Sequence, residues 1–251
     1  MDVINILDAQ SANMIAAGEV VDRPASAVKE LVENAIDASA SEISVEIKSG
    51  GNARIRVSDN GCGISAGDLP KALLRHATSK IKSGADLDGV TTLGFRGEAL
   101  AAIAAVSKLE IISRQGGKPL GNILSAGGEG VTVQEAGCPE GTTVLVSELF
   151  YNTPARRKFL KRDATEAAAC RAAVEKAAIS NPGIAFRFIS DGETKFSTSG
   201  NGVLSHAIAD ALGSDFARAL LPVDGSADIV SVRGYVSAPD AARGRSTAQN
   251  T

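Results

Sequence analysis

The chain has 251 residues, of which 44% are hydrophobic and 22% are charged, and its formal net charge is −3. This composition predicts a globular protein with a substantial core, and it argues against a domain dedicated to non-specific nucleic-acid binding, although a local basic patch stays compatible with it. No apolar run approaches the ~20 residues that cross a bilayer, and the N-terminus shows no secretory signal. Three cysteines (Cys62, Cys138 and Cys170) stand far apart without a CxxC pair. We therefore expect no membrane partner, no metal centre built on cysteine and a cytoplasmic location.

The first strongly patterned stretch is Pro24 to Asp37, PASAVKELVENAID. Its apolar residues recur at i, i+3, i+4, i+7 and i+8, which predicts an amphipathic helix, and Pro24 suits the first helical position. Glu30, Asn34 and Asp37 share the opposite face, at i, i+4 and i+7. A solvated helix face would also explain these three residues, so their meaning depends on whether the rest of the chain brings a ligand to them.

Residues 42–48 and 54–58 alternate between apolar and polar and predict a hairpin around Gly50-Gly51-Asn52. The second strand runs into DNGCGI (59–64), and the alternation places Asp59 on the core face, where a carboxylate needs hydrogen-bond donors. Gly61 and Gly63 remove side chains beside it, so that a flat ligand or another backbone can approach closely. A turn in which Asp59 caps local N–H groups is the alternative interpretation.

Residues 69–77 have helical spacing, and residues 78–93 are polar, small and without a clear period. A connection of this length predicts a mobile loop, and such loops are usually lids or disordered segments. It leads to GFRGE (94–98) and then to ALAAIAAVS (99–107), which predicts a buried helix. Glycines directly before a helix make an anion site, because free N–H groups and the positive end of the helix dipole meet there. A plain glycine-containing N-cap would explain the same residues.

The rest of the chain alternates between strands and helices. Predicted strands cover 109–114 and 142–150, a hairpin falls within 115–141, a helix covers 165–180, and a further hairpin joins 184–190 to 194–198. RRKFLKR (156–162) carries five basic residues in seven, which is either a phosphate contact or a solvated cluster. Residues 199–202 predict a linker. The helix and strand pair that we predict beyond it are too short for a core of their own.

Together these segments predict a nucleotide pocket. Asp59 would meet the amino group of a base, and the glycines before the buried helix would bind phosphates. Asn34 offers an oxygen ligand for Mg²⁺, and Glu30, one turn earlier, could orient and deprotonate water. No GxxxxGK[ST] pattern occurs in the sequence, so a bound nucleotide would not lie in a P-loop.

Five motifs closely resemble the MutL family of DNA mismatch repair proteins: ELVENAIDA (30–38), DNGCGI (59–64), RHATSKI (75–81), GFRGEAL (94–100) and FYNTPARRKFL (150–160). This family belongs to the GHKL ATPases, together with gyrase B, heat-shock chaperone ATPases and histidine kinases. The resemblance covers essentially the whole chain. GFRGEAL and NTPARRKFL are the motifs most specific to MutL-like proteins.

The resemblance implies a two-layer α/β sandwich, with a mixed, mostly antiparallel sheet and helices on one face. This ATPase domain would span 1–200, and a second, smaller, transducer-like α/β domain would begin at 203–251 and be cut off. A lysine that reaches the γ-phosphate in the family, after a VNGR stretch, is not present before Thr251. We therefore expect an N-terminal piece of a longer protein, with weak or no turnover of its own.

The resemblance also implies ATP and Mg²⁺ as cofactors and assigns a role to each motif residue. Glu30 would be the general base and Asn34 the magnesium ligand, while Asp59 and Thr143 would bind adenine in a pocket shaped by Gly61 and Gly63. The ATP lid would contain Thr78, Ser79 and Lys80. The segment around the phosphates would consist of Gly94, Phe95, Arg96, Gly97, Glu98, Ala99 and Leu100.

The implied function is an ATP-gated clamp that couples mismatch recognition to downstream repair. Its partners would be a second copy, through an ATP-dependent contact of N-terminal domains that includes residues 1–23, and a MutS-type mismatch sensor. DNA would bind weakly to a basic patch that comprises Arg156, Arg157, Lys158, Lys161 and Arg162. A nucleotide-binding scaffold without turnover and a topoisomerase-type ATPase are the alternatives. A histidine kinase is disfavoured, because neither His76 nor His206 suits a phosphoacceptor.

Overall fold

The computed structural model describes residues 17–78, 97–127 and 130–238. Ser79 and Lys80 of the predicted lid and Gly94, Phe95 and Arg96 of the predicted phosphate segment lie outside these ranges, as do residues 1–16. Residues 17–20 are helical, and Ala17 and Val21 are buried in the core.

Six helices follow residue 20 in the described ranges. Their bounds are α1 (Pro24–Asp37), α2 (Ala99–Val106), α3 (Pro154–Arg157), α4 (Asp163–Ser180), α5 (Leu204–Leu212) and α6 (Ser214–Arg218). α1 begins as predicted, with Pro24 in its first turn after an extended Arg23, and it buries the predicted apolar stripe. Within the described ranges no helix has the length and apolarity needed to cross a bilayer.

The strands of the main sheet are β1 (Glu42–Lys48), β2 (Arg54–Asp59), β3 (Lys108–Arg114), β4 (Gly121–Ala126), β5 (Val131–Ala136), β6 (Gly141–Ser147), β7 (Ala185–Ser190) and β8 (Glu193–Ser197). Their order across the sheet is β5-β4-β3-β6-β2-β1-β7-β8. Every neighbouring pair is antiparallel except β1 and β7, which run parallel. The predicted mixed, mostly antiparallel sheet is confirmed.

The core lies on one face of this sheet. Cross-strand registers align one continuous row of buried apolar side chains across seven strands, and the row runs Phe196, Phe188, Val45, Val57, Val144, Ile111 and Leu124. α1 packs against β1 and β2, α2 against β3, and α4 against β7. Since alternate strand residues point to opposite faces, the helices and the sheet enclose a single layer of apolar side chains.

Two predicted elements differ from the structure. Residues 69–77 form turns and one short 3₁₀ segment, Lys71–Leu73, instead of a helix. Of this segment only Leu69 is fully buried, whereas Leu74 is exposed, so no apolar stripe is covered that would hold a longer helix. The strand predicted over 142–150 ends at Ser147, because Glu148 and Phe150 adopt positive φ angles that a strand does not allow.

The end of the described chain consists of α5, α6 and a separate two-stranded sheet, β9 (Leu220–Ala227) and β10 (Val230–Ser237). α5 packs against α4 and β8, and its Ile208 and Ala211 belong to the main core. These contacts join α5 to the first unit, although the predicted boundary falls before it. The division into domains 1–200 and 203–251 stays a prediction, and the structure does not show a second domain.

Candidate functional site

At one end of the sheet, the core face carries polar instead of apolar side chains. Next to the apolar row described above, the register aligns Phe186 and Ile43 with Asp59, Thr142 and Ser113. The last three are polar and occupy the ends of β2, β6 and β3. Ser113 and Thr142 are buried. Three adjacent strands therefore carry polar side chains at positions where the alternation calls for apolar ones, and such a departure is expected at a functional site.

Hydrogen bonds hold this row, which we call the polar row, in place. Asp59 Oδ1 accepts from the backbone N–H of Gly61 at 2.9 Å and from that of Thr142 at 3.2 Å. The hydroxyls of Thr142 and Ser113 lie 2.9 Å apart, and Ser113 Oγ also accepts from the Ile64 N–H at 2.8 Å. No described residue donates a hydrogen bond to Asp59 Oδ2. One oxygen of the carboxylate is thus used internally and the other offers an acceptor.

Burial raises the pKa of the Asp59 carboxyl above its usual value, and the hydrogen bonds from the Gly61 and Thr142 N–H groups only partly oppose this. The bond to Gly61 is the local cap that the alternative interpretation of Asp59 predicts. The bond from Thr142 crosses to the neighbouring strand, so Asp59 is more than a turn-forming residue. A partly buried carboxylate with an open acceptor is costly unless a ligand uses it.

The DNGCGI loop is pressed against the C-terminal end of α1. The Cys62 N–H donates to the Ala38 carbonyl at 3.0 Å, and a Cβ on Gly61 would lie 2.6 Å from that same oxygen. Gly63 has φ +70°, and a Cβ there would overlap the Arg114 carbonyl. Both glycines are therefore required by close backbone packing, whatever else they do. This packing places Asp59 beside the helix that carries Glu30 and Asn34.

The polar face of α1 is partly exposed and has its own charge network. Lys29 lies 3.2 Å from Glu30 and 2.9 Å from Glu33. Burial by itself lowers the pKa of the Lys29 ammonium, but the hydrogen bonds and charges of Glu33 and Glu30 outweigh it and raise that pKa. Asn34 is half-buried one turn after Glu30. The described residues hold no cluster of three or more His, Cys, Asp or Glu side chains that could by itself hold a metal ion.

The start of α2 meets the segment that precedes the predicted lid. Gly97 has φ +61°, and a Cβ there would overlap the Ala77 carbonyl. Glu98 accepts from Arg75 Nη2 at 3.5 Å, and His76 Nδ1 lies 3.3 Å from the same carboxylate oxygen. Thr78 thus directly follows a residue packed against Gly97, and Ala99 and Leu100 form the first turn of α2. Ala77 and Gly97, on the two sides of the 79–96 segment, are thus in close contact.

The prediction that Thr143 helps to bind the base needs correction. Thr143 pairs with Ser58, and their hydroxyls lie 2.9 Å apart on the sheet face opposite Asp59. Thr142 is the residue beside Asp59, because adjacent residues of a strand point to opposite faces. Sequence reasoning missed both Thr142 and Ser113. The sequence does contain a signal for both. Ser113 continues the alternation of Leu109 and Ile111 on the core face of β3, and Thr142 stands before Val144 and Val146 on the core face of β6.

The basic run 156–162 is not uniform. The Arg156 guanidinium lies 5.7 Å from the centre of the Phe150 ring, its Nη1 is buried, and a Cβ on Gly18 would overlap it. Arg157, Lys158, Lys161 and Arg162 are exposed. Arg156 therefore packs against Gly18 and the Phe150 ring, whereas the other four cations face solvent.

Comparisons with known proteins agree with this geometry. A family model described as histidine kinase-, DNA gyrase B- and HSP90-like ATPase matches residues 22–127. The chain is 52% identical over 245 residues to the DNA mismatch repair protein MutL of Symbiobacterium thermophilum, covering 97% of this chain and 39% of that protein. It is 48% identical over 249 residues to the MutL of Methanoculleus marisnigri, covering 97% of this chain and 43% of that protein.

Solved structures show the same relationship. The N-terminal domain of a DNA repair protein superposes with a TM-score of 0.78 at 30% identity, covering 94% of this chain and 74% of that one. The Aquifex aeolicus MutL ATPase domain complexed with ADP superposes with a TM-score of 0.71 at 29% identity, covering 87% and 78% of the two chains.

The one-sided mixed sheet, with a polar row at the end of its core and a helix carrying Glu30 and Asn34 beside it, defines a protein of the GHKL ATPase class. Within that class, the chain belongs to the MutL family of DNA mismatch repair proteins. It spans about two-fifths of the length of the curated relatives that it matches.

Proposed function

We propose that this chain is the ATP-binding N-terminal region of a mismatch repair protein, and that the whole protein hydrolyses ATP. The observation that carries the proposal is the polar row, in which Asp59 keeps Oδ2 open as an acceptor next to the end of α1. An adenine amino group is a donor that this oxygen can accept. The ADP complex of the Aquifex aeolicus MutL ATPase domain, which has the same fold, supports a nucleotide as the ligand.

In this proposal the chain's own residues divide the work. Asp59, held by Gly61 and Thr142, orients the base, and Thr142 takes the place that the sequence assigned to Thr143. Gly97 and the free N–H groups at the start of α2 face the phosphates. Glu30 orients the attacking water and accepts its proton. Lys29 lies within ion-pair distance of both Glu30 and Glu33 and can orient the Glu30 carboxylate.

The donor set also fits Mg²⁺. Asn34 supplies one amide oxygen, and Mg²⁺ prefers few protein ligands completed by phosphate oxygens and water. The ion, when bound, would neutralise negative charge on the phosphates.

The finer parts of the function follow the family resemblance. The whole protein would act as an ATP-gated clamp, dimerise through its N-terminal domains, and respond to a MutS-type mismatch sensor. DNA would contact the exposed cations Arg157, Lys158, Lys161 and Arg162. We expect the 1–251 chain to bind nucleotide but turn it over slowly, since its residues do not include the lysine that the resemblance predicts at the γ-phosphate.

Glu30 provides the test of hydrolysis, with Glu33 as a matched control. Both carboxylates pair with Lys29, but only Glu30 is proposed to act on water. In the full-length protein, Glu30→Gln should lower steady-state ATP hydrolysis at least about 100-fold while ATP binding, measured by calorimetry, stays near wild type. Glu33→Gln should retain hydrolysis. Equal losses of hydrolysis in both variants, or loss of ATP binding in Glu30→Gln, would contradict the assignment.

A further inference from the structure

Residues 150–156, which we call the bridging turn, contact both helical parts of the chain that flank the proposed nucleotide site. On one side, the Phe150 N–H donates to the Val106 carbonyl at 2.7 Å, and Asn152 Nδ2 donates to the Ala105 carbonyl at 2.8 Å. These carbonyls belong to the last turn of α2, where a helix has no internal donors left. The bridging turn therefore caps α2 at the end opposite the proposed phosphate site.

The contact on the other side is made by Arg156. Its guanidinium lies 5.7 Å from the centre of the Phe150 ring, which is fully buried, and a Cβ on Gly18 would overlap Nη2. Gly18 belongs to the helical residues 17–20, and buried Val21 connects them to the start of α1. The Arg156 side chain is therefore packed between the turn that caps α2 and the residues that lead into α1.

The bridging turn also holds buried polar atoms that have no hydrogen-bond partner among the described residues. They are Asn152 Oδ1, Thr153 Oγ1 and Arg156 Nη1. In addition, Phe150 adopts φ +64°, which is unfavourable for a bulky residue. Unsatisfied buried groups and backbone strain cost stability, and they persist mainly where function requires them. A turn that served stability alone would have no use for either.

We propose that Arg156 is a positioning residue for ATP hydrolysis. It holds the start of α1 against the bridging turn and, through that turn, against α2. Since α1 carries Glu30 and α2 begins at the proposed phosphate site, the relative position of the two helices sets the distance between the attacking water and the γ-phosphate. Rates depend steeply on the distance between reacting atoms, so a small displacement of α1 lowers kcat.

The inference rests on the proposed ATPase function and adds to it a residue from beyond the C-terminal end of α2. It differs from a plain packing role for Arg156 in what it predicts. A packing role affects stability and ATP binding together, whereas a positioning role affects the chemical step and leaves ATP binding in place.

Arg156→Met in the full-length protein tests the inference, because methionine keeps an apolar side chain and removes the guanidinium. The kcat for ATP hydrolysis should fall at least about tenfold, while the Kd for ATP stays within about twofold of wild type. Arg156→Lys, which keeps a cation near the Phe150 ring, should recover part of the loss. The matched control is Arg187→Met, which removes an exposed arginine from β7 and should change neither value.

A double variant shows whether Arg156 acts through Glu30. If it does, Arg156→Met combined with Glu30→Gln should hydrolyse ATP as slowly as Glu30→Gln alone in single-turnover measurements. Independent effects of the two substitutions would instead multiply.

Amide hydrogen exchange supplies a measurement that does not depend on hydrolysis. In the full-length protein, Arg156→Met should speed exchange in residues 17–23 at least about threefold, because the start of α1 loses its contact with the bridging turn. Exchange in β6 should stay at the wild-type rate, and Arg187→Met should change neither region.

Three results would overturn the inference: wild-type kcat in Arg156→Met, multiplied losses in the double variant, or unchanged exchange in residues 17–23. A parallel loss of melting temperature and ATP binding in Arg156→Met would also overturn it and assign the side chain to packing. Failure of the wild-type protein to hydrolyse ATP would count against the proposed function, and the exchange measurement would still decide whether Arg156 holds the start of α1.

Discussion

Asp59 shows at the scale of single residues how this fold tolerates an unfavourable group at its site. The carboxyl is partly buried, its pKa is raised by that burial, and two backbone N–H groups offset part of the cost through Oδ1. The folded protein therefore binds a proton at Asp59 more readily than the unfolded chain. Stability from this residue is lost as the pH rises from the unfolded pKa through the raised folded pKa.

The variant Asp59→Asn should separate stability from binding. Asn keeps the acceptor for Gly61 and Thr142 but cannot ionise, so the variant should be more stable than wild type at about pH 7, and the difference should shrink towards pH 4. ATP affinity should fall at least about tenfold, since an amide donor then faces the adenine amino group. Urea denaturation across this pH range and calorimetry measure the two effects. A stability difference that does not vary with pH would contradict the argument.

At the scale of elements, a partly buried ion pair connects the start of α1 to α4. Arg23 donates through Nε and Nη2 to Glu166 Oε2 at 3.0 and 2.8 Å, and Glu166 Oε1 accepts from the Lys161 N–H. The Glu166 side chain is only 2% exposed, whereas that of Arg23 is 30% exposed. The pair therefore joins the helix that carries Glu30 and Asn34 to the segment between α3 and α4.

Removing one partner of this pair should cost more than removing both. Arg23→Ala leaves a buried carboxylate without its cation and should lower the free energy of unfolding by about 3 kcal/mol. The double variant Arg23→Met with Glu166→Leu removes both charges and should recover most of that loss, although the Lys161 N–H loses its acceptor. Denaturant unfolding measures both values. A double variant that is less stable than Arg23→Ala would show that the pair is net stabilising.

At the scale of the whole molecule, the eight-stranded sheet and its helices form one core, and the β9–β10 hairpin stands apart from it. The register of the hairpin places only apolar residues and glycine on one of its faces, and Leu221, Val230, Val232 and Val236 are at least half exposed there. An isolated two-stranded sheet is marginally stable by itself. The hairpin is therefore expected to contribute little to the stability of the main core.

Deleting residues 221–251 tests this separation. Leu220, the hairpin residue that packs against the main core, is retained. The melting temperature of the remaining chain should stay within about 2 °C of the parent, because little core is lost, and binding of a dye specific for exposed apolar surface should decrease. A fall in melting temperature of more than about 10 °C would show that the hairpin is part of the main cooperative unit.

The sequence by itself determined the local elements and the family. Alternation of apolar and polar residues predicted the hairpins β1–β2 and β7–β8, and 3.6-residue spacing of apolar residues predicted α1. Each pattern reflects a face of the element that must be buried. Motifs such as GFRGEAL carried the family and with it the candidate residues Glu30, Asn34 and Asp59. Residues 69–77 mark the limit of such reasoning, since they have helical spacing but form only turns and a short 3₁₀ segment, with Leu69 as the one fully buried side chain among them.

Only the tertiary structure decided which residues lie next to one another. Alternation within β6 could have placed Thr142 rather than Thr143 on the core face, but the pairing of Thr142 with Asp59 is set by the register of β2 with β6, which no local pattern contains. The same holds for Ser113, which joins the polar row because β3 pairs with β6. It holds also for Arg156, which packs on Phe150 while its basic neighbours face solvent. Long-range pairing fixes these contacts, and a sequence records only the residues that such pairing must accommodate.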